Sequence, residues 1–254
     1  MRPYTIAAEQ HSILRTAADA SRRRLPPRYG TQAWDAPMRG RLERKLRPGM
    51  KILDVGAGSR PFLAPSERPD RTVYVGLDAD ASELARAPAG AYDETVVAPA
   101  ETPIPSLEAS FDLVVSFLAL EHVTSAAAAV ENARVYLRPG GALLAQLAGR
   151  FAPASFANRV VPQAVARRLL RASQGRAPET VFPARYDQCT HSALVNLLSS
   201  GWTEQEVLPL FTGAGYVLFS RALCASYIAY EEWACRGKHL DLAPYYLIAA
   251  RRAD

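Results

Sequence analysis

Lysine is scarce in this chain of 254 residues, since Lys45, Lys51 and Lys238 are its only lysines. The net charge of +5 is therefore carried almost entirely by arginine. A genome rich in G and C produces that bias without any selection for an acidic partner, so the basicity does not by itself indicate a nucleic-acid-binding protein. We expect no nucleic-acid partner.

Cysteine is also scarce. Cys189, Cys224 and Cys235 show neither a CxxC spacing nor a nearby histidine pair. The common zinc and thioredoxin-like motifs are therefore excluded, and we expect no metal site. Buried structural thiols are the interpretation we favour for all three residues.

Long apolar runs are missing as well. No stretch of 18 residues is free of charge, so we predict no transmembrane helix. Residues 1–24 carry several charges and no apolar core segment, so we expect no secretion signal and a cytoplasmic protein.

The most informative stretch is residues 51–61, K-I-L-D-V-G-A-G-S-R-P. Its apolar start predicts a strand buried on both faces, and Gly56 and Gly58 allow a tight turn or a close ligand. A second apolar run at 73–77 ends in Asp78, and an acid there can accept hydrogen bonds from both ribose hydroxyls of a nucleoside. Together these features predict a nucleoside-binding α/β domain.

A dinucleotide is disfavoured as the ligand. Its fingerprint, G-x-G-x-x-G, needs a third glycine where this chain has Pro61. A proline there also withholds one of the backbone amides that a pyrophosphate would bind.

Strand and helix patterns alternate along the chain and predict parallel β-α units in one domain, 1–254. The predicted strands are 51–55, 73–78, 94–98, 111–117, 142–147, 203–210 and 245–251, with a turn at 138–141. The predicted helices are 4–24, 34–46, 82–87, one capped by Thr124 or Ser125 and ending near Tyr136, 191–200 and 216–235.

Two segments decorate this pattern. Residues 1–48 form a predicted N-terminal helical cap, and residues 149–190 are too long for a connector, so we interpret them as a lid. Within the lid, a basic amphipathic helix at 159–172 could instead rest on a membrane surface or pack on the domain.

A series of motifs carries a family resemblance. They are I-L-D-V-G-A-G at 52–58, Asp78 after V-G-L, A-E-T-P-I-P at 100–105 followed by S-F-D-L-V-V at 110–115, L-E-H-V at 120–123 and L-R-P-G-G-A-L at 137–143. In this order they resemble the motifs of class I S-adenosylmethionine-dependent methyltransferases, in the type 11-like branch that acts on small molecules. The resemblance implies a Rossmann-like, seven-stranded, mostly parallel sheet flanked by helices, with the insertion after strand five.

The resemblance also implies the residues that bind S-adenosylmethionine. Asp54, Gly56, Ala57 and Gly58 would surround its methionine part, Asp78 its ribose, Ala79, Ala100 and Glu101 its adenine, and Phe117 and Leu118 its methyl group. Asp54 could contact the amino group directly or through water, or could simply bond the amides of the turn. Asp78 could instead cap a helix, and Pro99 stands where the family commonly has an acid.

The resemblance further implies methyl transfer to a small-molecule acceptor, with S-adenosylhomocysteine as product. We expect an oxygen of a secondary metabolite or sugar, with His122 or His191 as the candidate general base. His122 could also be structural. The aromatic side chains in 216–235 suit an apolar or aromatic acceptor, but core packing is the simpler interpretation of them.

Three alternatives stay open: a cofactor-binding cyclase, a lipid-linked acceptor and an RNA acceptor. For RNA, the Asn-Pro-Pro-aromatic segment of base-methylating members is missing, and Ser116-Phe117-Leu118-Ala119 stands in its place. The sequence does not indicate an oligomeric state.

Overall fold

The computed structural model describes residues 25–29, 35–153, 155–156 and 184–254, and of Tyr216 the backbone alone. The predicted helices at 4–24 and 159–172, and most of the predicted lid, lie outside these residues.

Seven strands form one sheet in the order β3-β2-β1-β4-β5-β7-β6. The strands are β1 (Lys51–Val55), β2 (Val73–Asp78), β3 (Glu94–Val97), β4 (Phe111–Phe117), β5 (Leu137–Ala148), β6 (Trp202–Leu210) and β7 (Tyr245–Arg252). The first five pair in parallel, and β7 runs antiparallel to both β5 and β6. The predicted mostly parallel sheet is confirmed.

The central strands are apolar on both faces because each face is covered by its own layer. Alternate residues of a strand point to opposite sides. Leu53 of β1 joins a core cluster with the helix at 126–136, whereas Ile52 joins a second cluster with Met38 and Leu42. The sheet is thereby sandwiched, as a parallel sheet requires.

Five α-helices lie wholly within the described residues, and most of them begin at a capping side chain. They are α1 (Ala36–Glu43), α2 (Ala81–Ala85), α3 (Ala126–Tyr136), α4 (His191–Leu197) and α5 (Arg221–Arg236). The side chains of Asp80, Ser125, Thr190 and Ser220 accept hydrogen bonds from the first turns of α2 to α5. Of these helices the longest has 16 residues, and none described has the length and apolarity to cross a bilayer.

Several predicted boundaries were wrong. β5 starts at Leu137, because this residue pairs with Phe111 and the pairing resumes at Ala142 after a register shift. The glycines that predicted a turn at 138–141 therefore form an irregularity within the strand. Gly140 there has φ +72°.

The predicted helix 216–235 is also shorter than expected. Residues Ala214–Val217 form one 3-10 turn, and Ser220 is extended, with φ −132° and ψ 121°, so α5 begins only at Arg221. Similarly, α1 and α4 end before the predicted residues 46 and 200.

The cysteine prediction is partly wrong. Cys189 and Cys224 are buried, whereas Cys235 is exposed near the end of α5. All three are free thiols.

Candidate functional site

The loops that follow β1 to β5 all lie at the carboxyl edge of the sheet, because these strands are parallel. This edge collects residues that are far apart in sequence. They include the glycine turn at 56–58, Asp78, Ala100 and the end of β4 at Phe117.

The glycine turn is held tightly against its neighbours. The amides of Gly56 and Ala57 donate to the carbonyl of Leu77, at 2.8 and 3.1 Å. Gly56 has φ +73°, and a Cβ atom placed on it would lie 2.1 Å from the Cβ of Ala119. Only glycine fits at this position.

Asp78 lies beside this turn with a half-buried carboxylate. Its Oδ2 accepts a hydrogen bond from the Gly58 amide at 2.9 Å, and its Oδ1 accepts one from the Asp80 amide at 2.8 Å. The cap of α2 is Asp80, not Asp78, so the helix-capping alternative for Asp78 is wrong. Each carboxylate oxygen keeps a second lone pair, which suits a pair of ribose hydroxyls.

Asp54 forms hydrogen bonds with the loop that follows the glycine turn. Its side chain is buried, and its Oδ2 accepts hydrogen bonds from the Phe62 amide at 3.0 Å and from the Tyr74 hydroxyl at 2.7 Å. Burial raises the pKa of Asp54 to about 6, although both hydrogen bonds oppose the rise. Asp54 therefore bonds a backbone amide of the protein, which is one of the roles that the sequence left open for it. The other role was a contact with the amino group of the cofactor.

Two tyrosines and an arginine near the turn were missed by sequence reasoning. Tyr92 donates from its hydroxyl to the carbonyl oxygens of Ala57 and Gly58, at 2.7 and 3.1 Å. Tyr74 bonds Asp54, and the Arg68 guanidinium lies 4.0 Å from the Tyr74 ring centroid.

One sequence signal could have indicated a close contact here. Gly76 interrupts the apolar run of β2, and a glycine within a strand often marks a close approach. A Cβ on Gly76 would lie 2.7 Å from the Tyr92 ring.

The predicted adenine side is built around two loops. Ala79 is exposed, and the Ala100 carbonyl accepts a hydrogen bond from the Asn132 side chain at 2.9 Å. Glu101 Oε1 accepts from the amide and the hydroxyl of Thr124, at 2.9 and 2.6 Å. Burial favours the neutral acid, but the Thr124 hydrogen bonds outweigh it and lower the pKa of Glu101. Of our two predicted caps for α3, Ser125 is the cap and Thr124 binds Glu101 instead.

The predicted methyl-transfer side lies at the end of β4. The Phe117 ring packs against Phe62 with centroids 4.7 Å apart. Leu118 has φ +53°, and its amide donates to the Gln146 carbonyl at 2.7 Å. A positive φ in a residue other than glycine costs about 1–3 kcal/mol, and the surrounding structure has to hold it. Strained residues of this kind are common at functional sites.

Both candidate histidines lie toward the same edge. His122 follows β4 closely and is half-buried, and its amide donates to the Ala119 carbonyl at 2.9 Å. His191 begins α4, next to a segment tied to the end of β5 by a 2.7 Å hydrogen bond from the Arg150 amide to the Cys189 carbonyl.

Glu121, beside His122, is a buried carboxyl group that sequence reasoning did not assign. Burial raises its pKa, and the charge of His122 opposes the rise. Its backbone carbonyl accepts from the amides of Arg185 and Tyr186, both at 2.9 Å. These two hydrogen bonds connect Glu121 to the short segment that precedes His191.

The described ranges contain no group of three or more His, Cys, Asp or Glu side chains arranged to hold a metal ion.

Residues 53–145 match the family model of a methyltransferase domain. The matched stretch begins within β1, ends within β5 and contains the glycine turn, Asp78 and His122. This match identifies a methyltransferase domain within the chain.

Solved structures with the same fold confirm this architecture for the methyltransferase domain. One is an S-adenosylmethionine-dependent methyltransferase from Mesorhizobium loti, with a TM-score of 0.52, 23% identity and coverage of 88% of this chain and 100% of that chain. Another is the [4+2]-cyclase SpnF, with a TM-score of 0.54, 17% identity and coverage of 88% and 85%.

A third is phosphoethanolamine N-methyltransferase 2 from Haemonchus contortus, in complex with S-adenosylmethionine. Its TM-score is 0.52 at 16% identity, over 87% of this chain, which spans about half (53%) of the length of that enzyme. At these identities the likeness shows a common fold. No curated protein sequence matches the chain.

Proposed function

We propose that the protein transfers a methyl group from S-adenosylmethionine to a small-molecule acceptor and releases S-adenosylhomocysteine. The observation that carries this proposal is the Asp78 carboxylate beside the Gly58 amide, 2.9 Å away, at the carboxyl edge of β1 and β2. A nucleoside bound there would place its ribose on Asp78 and its 5′ substituent along the glycine turn.

The backbone after the glycine turn supports a ligand without phosphate. The chain continues as a loop to the single 3-10 turn Pro65–Glu67, so no α-helix presents its first amides here. The amides of Phe62 and Leu63 already donate to Asp54 and Tyr74. A pyrophosphate would lack the helix N-terminus that it binds in dinucleotide folds.

Methyl transfer mainly requires the protein to align the acceptor with the methyl group of the cofactor. The sulfonium carbon is already activated, and holding the acceptor in line with the methyl–sulfur bond can lower the barrier by roughly 7–11 kcal/mol in ideal cases. For a hydroxyl acceptor a general base adds about 10² to 10⁴ in rate. We assign this role to His122 or His191.

An apolar or aromatic acceptor, such as a secondary metabolite, suits part of the aromatic surface of the C-terminal half. Phe219 and Trp233 are exposed, and Trp233 packs on the His239 ring with centroids 4.7 Å apart. Tyr227, by contrast, packs in a buried cluster with Ala214 and Cys224.

We further propose that the reaction takes place in the cytoplasm, which cell fractionation would test.

Calorimetric titration tests the cofactor. We expect S-adenosylmethionine to bind and NAD not to bind. Asp78→Ala should weaken binding by about 1–3 kcal/mol, because polar groups of the bound ribose would lose their partner. Asp112→Ala is the matched control, since Asp112 bonds the Lys51 amide at the opposite edge of the sheet, at 2.7 Å.

Unchanged affinity in Asp78→Ala would overturn the ribose assignment. Because a [4+2]-cyclase shares this fold, the activity assay should measure conversion of S-adenosylmethionine to S-adenosylhomocysteine as well as the product. Turnover of the acceptor without consumption of the cofactor would contradict methyl transfer.

A further inference from the structure

The peptide group between Ala57 and Gly58 is hydrogen-bonded at both ends. Its carbonyl oxygen, on Ala57, accepts a hydrogen bond from the Tyr92 hydroxyl at 2.7 Å. Its N–H, on Gly58, donates to Asp78 Oδ2 at 2.9 Å. One peptide plane therefore connects Tyr92 to the carboxylate that we place on the ribose.

This peptide needs an external hold. Rotation of its plane changes the φ angle of Gly58, which is +54°, and glycine moves between conformations at little steric cost. If the plane rotated, the Gly58 N–H would turn away from Asp78. The carboxylate would then lose one of the two amides that orient it.

Tyr92 is well placed to supply that hold. Its ring fills the space above Gly76, where a Cβ would lie 2.7 Å from the ring, and lies nearly parallel to the Tyr74 ring at a centroid distance of 6.1 Å. Burial, together with the negative charges of Asp54 and Asp78, raises the pKa of Tyr92, so its hydroxyl stays a donor.

The two hydrogen bonds also strengthen each other. A donor on the carbonyl oxygen polarises the amide, which makes the N–H at its other end a better donor. Loss of the Tyr92 hydroxyl should thus be felt at Asp78 even though the two side chains act on opposite ends of the peptide.

We propose that Tyr92 is a positioning residue for the cofactor: through the Ala57–Gly58 peptide it holds the Asp78 carboxylate in the orientation that binds the ribose. The inference rests on the proposed function, because it takes Asp78 as the ribose-binding acid.

Tyr92→Phe tests this inference, because phenylalanine keeps the ring on Gly76 and Tyr74 and removes only the hydroxyl. Titration with S-adenosylhomocysteine should show an affinity about 3- to 10-fold weaker than in the wild type, as expected for one hydrogen bond. Tyr230→Phe is the control, since its hydroxyl donates to the Leu242 carbonyl at 2.7 Å, away from the turn. Its affinity should not change.

A double-mutant cycle separates positioning from general stabilisation. In the Asp78→Asn background, Tyr92→Phe should weaken S-adenosylhomocysteine binding by less than twofold, because the group that it positions has been altered. An equal loss in both backgrounds, or no loss in the single variant, would overturn the role of Tyr92. Failure of the wild type to bind S-adenosylhomocysteine would instead overturn the proposed function, and this inference with it.

Discussion

At the scale of single residues, the two acids near the glycine turn differ in burial and in their hydrogen-bond partners. Asp54 is 2% exposed and is bonded to the loop at Phe62 and to Tyr74. Asp78 is half-buried, and both its oxygens accept from backbone amides while keeping lone pairs for a ligand. Burial thus separates the acid that bonds the loop from the acid that we propose binds the nucleoside.

Asp54 should make folding stability depend on pH. Its pKa rises from 3.8 to about 6 on folding, so the folded state holds the proton more tightly. The stabilisation from this group is complete below pH 3.8 and is lost as pH rises through about 6, which corresponds to roughly 3 kcal/mol. Relative to Asp54→Asn, the wild type should lose about 2 kcal/mol of unfolding free energy between pH 4 and pH 7, because a small part of the loss has already occurred at pH 4.

Urea denaturation of both proteins at the two pH values measures this difference. Because every other titrating group is common to the two proteins, subtraction isolates Asp54. A difference that stays constant with pH would mean that the Asp54 carboxyl has the same pKa in the folded and unfolded states.

At the scale of elements, α5 and the short segment 25–29 are joined by a buried carboxylate. The Glu231 side chain is 0% exposed and accepts from the Gly213 amide at 2.6 Å, from Arg28 at 3.2 Å and from the Tyr29 hydroxyl. Leu25 and Tyr29 also pack on the cluster around Tyr227. A segment near the start of the chain is thereby attached to its C-terminal half.

Glu231→Gln should loosen this attachment. The amide nitrogen would face the Arg28 guanidinium or the Gly213 N–H, which sets one donor against another. We expect the free energy of unfolding to fall by about 1–3 kcal/mol. Glu232→Gln is the matched control, because Glu232 also binds Arg28 but is partly exposed, and surface pairs contribute about 0–1 kcal/mol.

Denaturant titration of the two variants measures both values. An equal loss in Glu231→Gln and Glu232→Gln would show that burial of Glu231 is not what stabilises the attachment.

At the scale of the whole molecule, the parallel order of β1 to β5 brings the candidate cofactor residues and His122 to one edge. α4 runs from His191 towards the start of β6, which lies at the opposite edge of the sheet. His191, at the beginning of α4, therefore lies at the same edge as the candidate cofactor residues. Two candidate bases therefore lie near the proposed site, although 69 positions separate them in the sequence.

We expect His122→Gln to reduce kcat with a hydroxyl acceptor by about 10² to 10⁴. Its affinity for S-adenosylhomocysteine should stay within about twofold of wild type, because a base acts on the acceptor and not on the cofactor. His191→Gln serves as the test of the rival residue, and His239→Gln, on the Trp233 ring, as the control.

Steady-state kinetics and calorimetry on the three variants give both quantities. A loss confined to His191→Gln would move the base to His191. Full activity in all three variants would leave alignment as the source of the rate.

Much of the site could be predicted because its residues follow strand ends. The motif around Gly56 and Gly58, with Asp78 after the next strand, specifies a turn and an acid at one edge whatever the rest of the chain does. The partners of these residues could not be predicted. Tyr92 and Asn132 reach the site across the fold, and no local pattern encodes their hydroxyl and amide contacts.

The sequence by itself determined the order of strands and helices, the position of the glycine turn and the ligand chemistry that Pro61 disfavours. These properties depend on local conformation and on the alternation of apolar residues. The tertiary structure decided which donors each acid meets: Asp54 binds its own loop, Asp78 the glycine turn and Glu101 Thr124. Hydrogen-bond partners are chosen by distances of about 3 Å between side chains and backbone groups, and only the packed fold sets those distances.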